Sequence, residues 1–275
     1  MKNLLASLIG IYVNVLSYLS KSYAANKALF VFSKPRKGRI TEIQRDFLDT
    51  AFKEELKFND THIMTYRWLG NKQTVLLAHG WESNSARWKP LVLNLKKKGF
   101  NIVALDAPAH GNSGSNYFNT ILLSEFIHVV AKRFNAEIVI GHSLGGMASV
   151  FCQNKYQLKP IKKLILLGTP SEYSDILKRY TDMLGYNQHI KTRLNAIIIE
   201  RYGIHPNTFS TAKYLETINS EGLIIHDEDD DVIPYGDALL IKDSFKKSKL
   251  ITTKGIGHSL INDIVMTHIS EFVED

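Results

Sequence analysis

The run Ile138-Val139-Ile140-Gly141-His142-Ser143-Leu144-Gly145-Gly146-Met147 constrains this chain more than any other stretch. Three β-branched apolar residues end in Gly-His-Ser-Leu-Gly, and a helix-like segment follows. That pattern predicts a strand, a very tight turn and a helix, with Ser143 at the apex. A residue held there adopts a strained backbone, so the positions two before and two after it must lack bulk. Gly141 and Gly145 supply the room, and Gly146 extends it. The turn lifts the Ser143 hydroxyl clear of the sheet. It also leaves the Leu144 N–H at a helix start, where an oxyanion can be held.

The surrounding chain repeats the same rhythm. Short apolar strands are predicted at 74–78, 102–105, 138–140, 164–167, 223–225 and 250–252, with helices over 86–98, 119–134, 235–245 and 260–272. Fully apolar strands alternating with helices mean an α/β fold whose mostly parallel sheet is covered by helices on both faces. Active groups in such sheets belong at the carboxyl ends of the strands. Upstream, 43–52 reads as a helix and 62–68 alternates as an edge strand. Arg87, Lys89 and Lys96 are expected on the solvent side of the 86–98 helix. The rhythm breaks between Pro170 and Glu221. That stretch is helical in pattern and carries Tyr173, Tyr180, Tyr186 and Tyr202, so a small helical lid is expected at about 171–220. An ordinary crossover with extra packing helices is the plainer alternative.

Charge separates a first segment, 1–41, from a domain over 42–275. The chain carries 34 Lys and Arg against 27 Asp and Glu, a net +7. Lys2, Lys21, Lys27, Lys34, Arg36, Lys37 and Arg39 all precede the first acid, Glu42, so the rest is balanced. The basic excess therefore does not read as a nucleic-acid surface. Residues 4–19 are apolar with a polar stripe of Ser7, Gly10, Asn14, Ser17 and Lys21, one face of a helix. Three readings stay open. Ser22-Tyr23-Ala24 has small residues where a secretory signal is cut. The apolar run falls short of the ~20 residues of a membrane span. An amphipathic helix could pack on its own domain or touch a membrane surface peripherally through residues 1–41. The expected location is the cytoplasm, at a membrane surface if that helix attaches, with secretion as the alternative. The single cysteine, Cys152, rules out an internal disulfide and is expected to be buried and inert.

A serine hydroxyl needs a base, and the base needs an acid to fix its tautomer. Gly255-Ile256-Gly257-His258 follows the last predicted strand and supplies His258 as the base. His226-Asp227-Glu228-Asp229-Asp230-Asp231-Val232-Ile233-Pro234 follows the strand before it. Five consecutive acids stand there; only one can face His258, and a solvated loop accounts for the others. His79 and His142 flank tight turns and are expected to hold them by hydrogen bonds. No His, Cys, Asp and Glu set has metal spacing, and no phosphate loop or dinucleotide fingerprint occurs, so no metal or cofactor is expected.

With His-Gly-Trp at 79–81, Asp-Ala-Pro-Ala-His-Gly at 106–111, Gly-His-Ser-Leu-Gly-Gly at 141–146 and Asp-x-x-Ile-Pro at 230–234, residues 74–273 resemble the α/β-hydrolase superfamily of serine hydrolases, in its lysophospholipase- and esterase-like branch. The resemblance implies a triad of Ser143, Asp230 and His258, with Asp229 as the second choice for the acid. It implies the backbone N–H groups of Trp81 and Leu144 as the oxyanion hole. Asp106, His110 and Ser113 are implied to be structural. The Trp81 indole is left between lining the cleft and plain packing. The function implied is cleavage of a small, apolar carboxylic ester or thioester through an acyl-enzyme. Acyl transfer or carbon–carbon bond hydrolysis on the same triad, and a non-catalytic binding protein of the same fold, are the alternatives.

Overall fold

The computed structural model describes residues 2–275. The chain divides into two compact units, one made of residues up to Lys34 with Glu172–Ser210, the other of Pro35–Ser171 with Thr211–Asp275. Helices α1 (Lys2–Leu19) and α2 (Lys21–Ser33) open the chain, and α3 (Glu42–Leu48) follows with Thr41 and Gln44 forming a capping box.

The larger unit holds an eight-stranded sheet. Its strands are β1 (Phe52–Phe58), β2 (Thr61–Trp68), β3 (Thr74–Ala78), β4 (Asn101–Leu105), β5 (Ile138–His142), β6 (Lys163–Leu167), β7 (Glu221–Asp227) and β8 (Ser248–Thr253). The spatial order is β1-β2-β4-β3-β5-β6-β7-β8. β1–β2 and β2–β4 pair antiparallel, and every other pair is parallel.

The expected edge strand at 62–68 is therefore interior, and β1 forms the edge. Phe-Lys-Glu-Glu-Leu-Lys-Phe carries too much charge to stand out as a strand, yet Leu56 and Phe58 pack on the core while Lys53, Glu55 and Lys57 face water. Charge along a bare edge also blocks pairing with another chain.

Each central strand feeds two cores by alternation. Val75, Leu77, Ile138, Ile140, Leu223 and Ile225 point to one face. There they meet α3, α4 (Lys89–Lys97) and, at the chain's end, α11 (Asp263–Glu274). Leu76, Ala78, Val139 and Ile224 point to the other face. That face is covered by α5 (Thr120–Phe134), α6 (Leu144–Tyr156) and α10 (Tyr235–Ser244). Burying each such side chain stabilises the unit by about 1.5–3 kcal/mol. Both faces being covered is why these strands read as unbroken apolar runs.

The smaller unit joins the N-terminal pair to α7 (Tyr173–Met183) and α8 (Gln188–Tyr202). Val13, Ala24 and Ala28 pack with Leu184, Tyr186 and Ile190; Ala25 and Leu29 pack with Leu177, Leu194 and Ile197. The chain returns to the larger unit at α9 (Thr211–Leu215), so the excursion runs over 172–210 rather than about 171–220. The N-terminal helices and this excursion, separate in the sequence reading, share one core.

Candidate active site

The turn after β5 has the strain its glycines announce. Ser143 sits at φ 53° and ψ −125°, a conformation costing roughly 1–3 kcal/mol for a residue with a Cβ. Its N–H donates to Leu167 O at 2.8 Å, which anchors the apex to β6. A Cβ on Gly141 would lie 2.5 Å from Gly146 Cα, and one on Gly145 would lie 2.2 Å from Ala78 O. Any side chain at either place would force the turn apart. Leu144 opens α6, so its N–H is one of the donors a helix leaves unpaired.

The loop after β3 lies against this apex. A Cβ on Gly80 would be 2.8 Å from Ser143 Cβ and 3.4 Å from Leu144 N. The backbone entering Trp81 is thus brought beside the Leu144 amide. Two histidines hold the loop. His79 donates from Nδ1 to Gly80 O at 2.8 Å and accepts the Ala107 N–H at Nε2, 2.9 Å. His110 accepts the Glu82 N–H at 2.9 Å and donates to Pro108 O at 2.8 Å. Burial lowers both to about 4, so each is neutral near pH 7 with its tautomer set. The Trp81 indole meets His110 and Phe118 edge-to-face at 5.6 and 5.3 Å, which gives it a packing role.

Asp106 ties β4 to this region. Its buried carboxylate accepts from Ser85 N and Oγ at 2.9 and 2.7 Å, from Asn112 N at 2.9 Å and from Tyr66 OH at 3.0 Å. Ser113 Oγ donates to Asp106 O at 2.6 Å.

At the ends of β7 and β8 the structure brings together two groups 28 residues apart. His258 Nδ1 lies 2.7 Å from Asp230 Oδ2. Asp230 Oδ1 accepts from Val232 N at 2.8 Å and Ile233 N at 2.9 Å, which fixes the carboxylate in its own turn. Burial opposes its charge, but the hydrogen bonds from His226, His258 and Ile233 outweigh it and hold the carboxyl well below the usual range. An ionised Asp230 can only accept, so this contact places a proton on His258 Nδ1. Asp229, the other candidate acid, is exposed and donates its own N–H to Asp227 Oδ1 at 3.0 Å.

The elbow and the base loop touch directly. His142 donates from Nε2 to His258 O at 2.7 Å, and the two rings lie 4.8 Å apart. Among the described residues, no hydrogen bond joins Ser143 Oγ to the His258 ring. In sites without substrate such contacts are often long and tighten in the complex.

The family model described as alpha/beta hydrolase fold matches residues 73–186. A Mycoplasma pneumoniae protein whose name marks it as a candidate esterase/lipase is 28% identical over 120 residues, 41% of this chain and 44% of that protein. The chain thus matches less than half the length of that relative. A bifunctional esterase/perhydrolase of Acinetobacter calcoaceticus is 23% identical over 234 residues, 68% of this chain and 85% of its own. An esterase from Exiguobacterium antarcticum superposes with a TM-score of 0.65 at 16% identity, covering 82% of this chain and all of that one. Residues 73–186 belong to the alpha/beta hydrolase fold family, and the sheet around them has the same fold.

Two residues, Arg87 and Asp227, stand differently from the sequence expectation. Arg87 does not face solvent. It stacks over Trp88 at 4.8 Å and donates from Nη2 to Ser259 O at 2.9 Å, while its Nη1 is buried. Burial lowers it to about 9. Asp227 is no solvated acid either. Its Oδ2 accepts from Thr253 Oγ1 at 2.8 Å and Ile256 N at 3.0 Å, pinning the chain two residues before His258. His226, buried, has its Nε2 2.9 Å from Ile233 O and 3.4 Å from Asp230 Oδ2. The spacing of Asp227 and Asp230 within the acidic run was the one available signal. The Arg87 reading assumed a single long helix over 86–98. Instead a short 3-10 turn, Ser85–Trp88, precedes α4 and swings the side chain inward. Among the described residues, no group of three His, Cys, Asp or Glu side chains is placed to hold a metal ion.

Proposed function

We propose that this hydrolase cleaves a carboxylic ester or thioester through an acyl-enzyme on Ser143. The observation that carries the reading is the 2.7 Å contact between His258 Nδ1 and Asp230, at the same end of the sheet as the strained serine. His258 Nε2 takes the hydroxyl proton as Ser143 Oγ attacks the carbonyl carbon, and Asp230 stabilises the imidazolium that results. The Trp81 and Leu144 amides receive the oxyanion; each such donor is worth about 10²–10³ in rate. Collapse of the tetrahedral intermediate expels the alcohol or thiol, which leaves with the proton from His258. Water then attacks the acyl-enzyme, giving its proton to His258, and the acid departs with Ser143 reprotonated.

The names of the relatives support ester chemistry, since esterase appears among them. The substrate we propose is a small ester with an apolar acyl group. Ser143→Ala is expected to reduce hydrolysis of a p-nitrophenyl acyl ester by about 10⁴-fold or more while leaving the thermal melt unchanged. A fluorophosphonate probe is expected to add its mass at Ser143 in the parent chain only. Retained turnover in the variant would move the nucleophile elsewhere. Absence of both turnover and labelling in the parent chain would favour a binding protein.

A further inference from the structure

Helix α1 turns much of its polar stripe inward. Gly10, Asn14 and Ser17 face the rest of its unit, and a second apolar stripe is left outside. At Gly10 the backbone comes so close to the 184–187 turn that a Cβ would sit 1.8 Å from Leu184 O. Asn14 Nδ2 donates to Gly185 O at 2.8 Å, and Asn14 Oδ1 accepts from Asn187 N at 2.9 Å. Ser17 Oγ accepts from Asn187 Nδ2 at 2.8 Å. Gly10, Asn14 and Ser17, together with Val13 and the half-buried Ala6, Ile9 and Leu16, thus make the inward face. Leu4, Leu8, Ile11, Val15, Tyr18 and Leu19 are left outside, from 55% exposed at Leu8 to 83% at Leu19. Their spacing of three and four puts them on one continuous stripe. Scattered apolar residues on a surface need no explanation, but a stripe of this length does.

We propose that this outward face of α1 seats in the headgroup and acyl boundary of an anionic lipid bilayer. The charge around it selects that occupant. The unit's first 34 residues hold four basic groups, Lys2, Lys21, Lys27 and Lys34, and no acid. On the exposed side of α2, Tyr23 and Phe30 alternate with Lys27 and Lys34, whose ammonium groups lie 5.5 and 5.1 Å from the two ring centroids. Tyrosine and lysine beside an apolar stripe suit the level of lipid headgroups, where an aromatic ring can be half immersed and a cation can meet phosphate. A second copy of the chain fits worse. A symmetric pairing of α1 on α1 would bring two wholly basic helical pairs together with no acid on either to relieve them. Spanning is a different matter: among the described residues, no helix is long and apolar enough to cross a membrane. The inference stands on this unit alone and is independent of the reaction proposed for Ser143.

The test is sedimentation of the full chain with vesicles of phosphatidylcholine, with and without phosphatidylserine. Binding is expected to the anionic vesicles, at least about tenfold tighter than to the neutral ones, and to weaken as salt is raised. The double variant Ile11→Asp/Val15→Asp is expected to lose vesicle binding by tenfold or more. Its substitutions are at exposed positions, and an unchanged circular dichroism melt would show that the fold survives. Lys27→Gln/Lys34→Gln is expected to retain residual binding with a shallower salt dependence. Equal binding to neutral vesicles, no binding at all, or binding unaffected by Ile11→Asp/Val15→Asp would each overturn the proposal. So would a lipid-free dimer in light scattering that the same double variant dissociates, since a second copy would then be the occupant.

Discussion

His142 Nε2 donates to the backbone carbonyl of His258 at 2.7 Å, linking the residue before the candidate nucleophile to the candidate base itself. The bond joins the end of β5 to the loop after β8, across β6 and β7. Burial, with Arg87 and His258 nearby, pushes His142 well below its ordinary range, so it stays neutral and donates from one nitrogen only. It acts as a brace between two loops that must keep register. His142→Ala is expected to lower kcat by about tenfold or more with a smaller change in KM, because the base is displaced rather than the binding surface. It should also cost about 1–3 kcal/mol in urea unfolding, since a buried carbonyl loses its donor. Unchanged kcat would make this bond purely structural.

The two aspartates that sequence alone left in competition should separate cleanly. Asp230→Asn removes the carboxylate that holds the His258 tautomer, and turnover is expected to fall by about 10³–10⁴-fold. Asp229→Asn touches an exposed group and is expected to change turnover by less than about twofold. Steady-state kinetics on a chromogenic ester compares them. A large loss in the second variant and not the first would reassign the acid.

Stability should fall as the medium is acidified from about pH 6.5 toward 4. His79 and His110 are lowered from 6.5 to about 4 by burial, so across that window the unfolded chain binds protons that the folded one refuses. The slope of unfolding free energy with pH is then positive, and the loss is complete below the folded values. Asp106 works the other way, its carboxyl being pushed up by burial. Urea midpoints at pH 7, 5.5 and 4.5 measure the net effect, and His110→Gln should flatten the profile. A flat profile in the parent chain would contradict neutral, buried imidazoles.

Steric demand at the elbow predicts a contrast between glycines. Gly145→Ala places a Cβ within 2.2 Å of Ala78 O, and backbone cannot yield without moving β3 against β5. A loss of about 2 kcal/mol or more is expected. Gly236→Ala, in the first turn of α10 with nothing within 4 Å, is expected to be neutral or to gain up to about 1 kcal/mol. Thermal melts of the two variants decide it.

Much of this was readable because it is local. The Ser143 turn announces itself since three consecutive requirements, a β-branched strand, glycine at two fixed offsets and a helix, fall within ten residues. Strands β3 to β7 were legible because burial on both faces makes their composition nearly pure. β1 was not, since an edge strand solvated on one side carries the charges of a loop. Asp230 could be set ahead of Asp229 only through the spacing to Ile233-Pro234, and its contact with His258 depends on how two distant strand ends meet.

What the sequence determined by itself was the alternation of elements, the strained serine and a histidine and acid after the last two strands, because these follow from backbone sterics and periodicity. Tertiary structure alone decided which way side chains turn: Arg87 inward to Ser259, Asp227 into the loop before His258, and the Asn14 stripe of α1 onto the 184–187 turn with Leu4, Leu8 and Leu19 outside. A helical pattern identifies two faces, and it is the neighbours that choose between them.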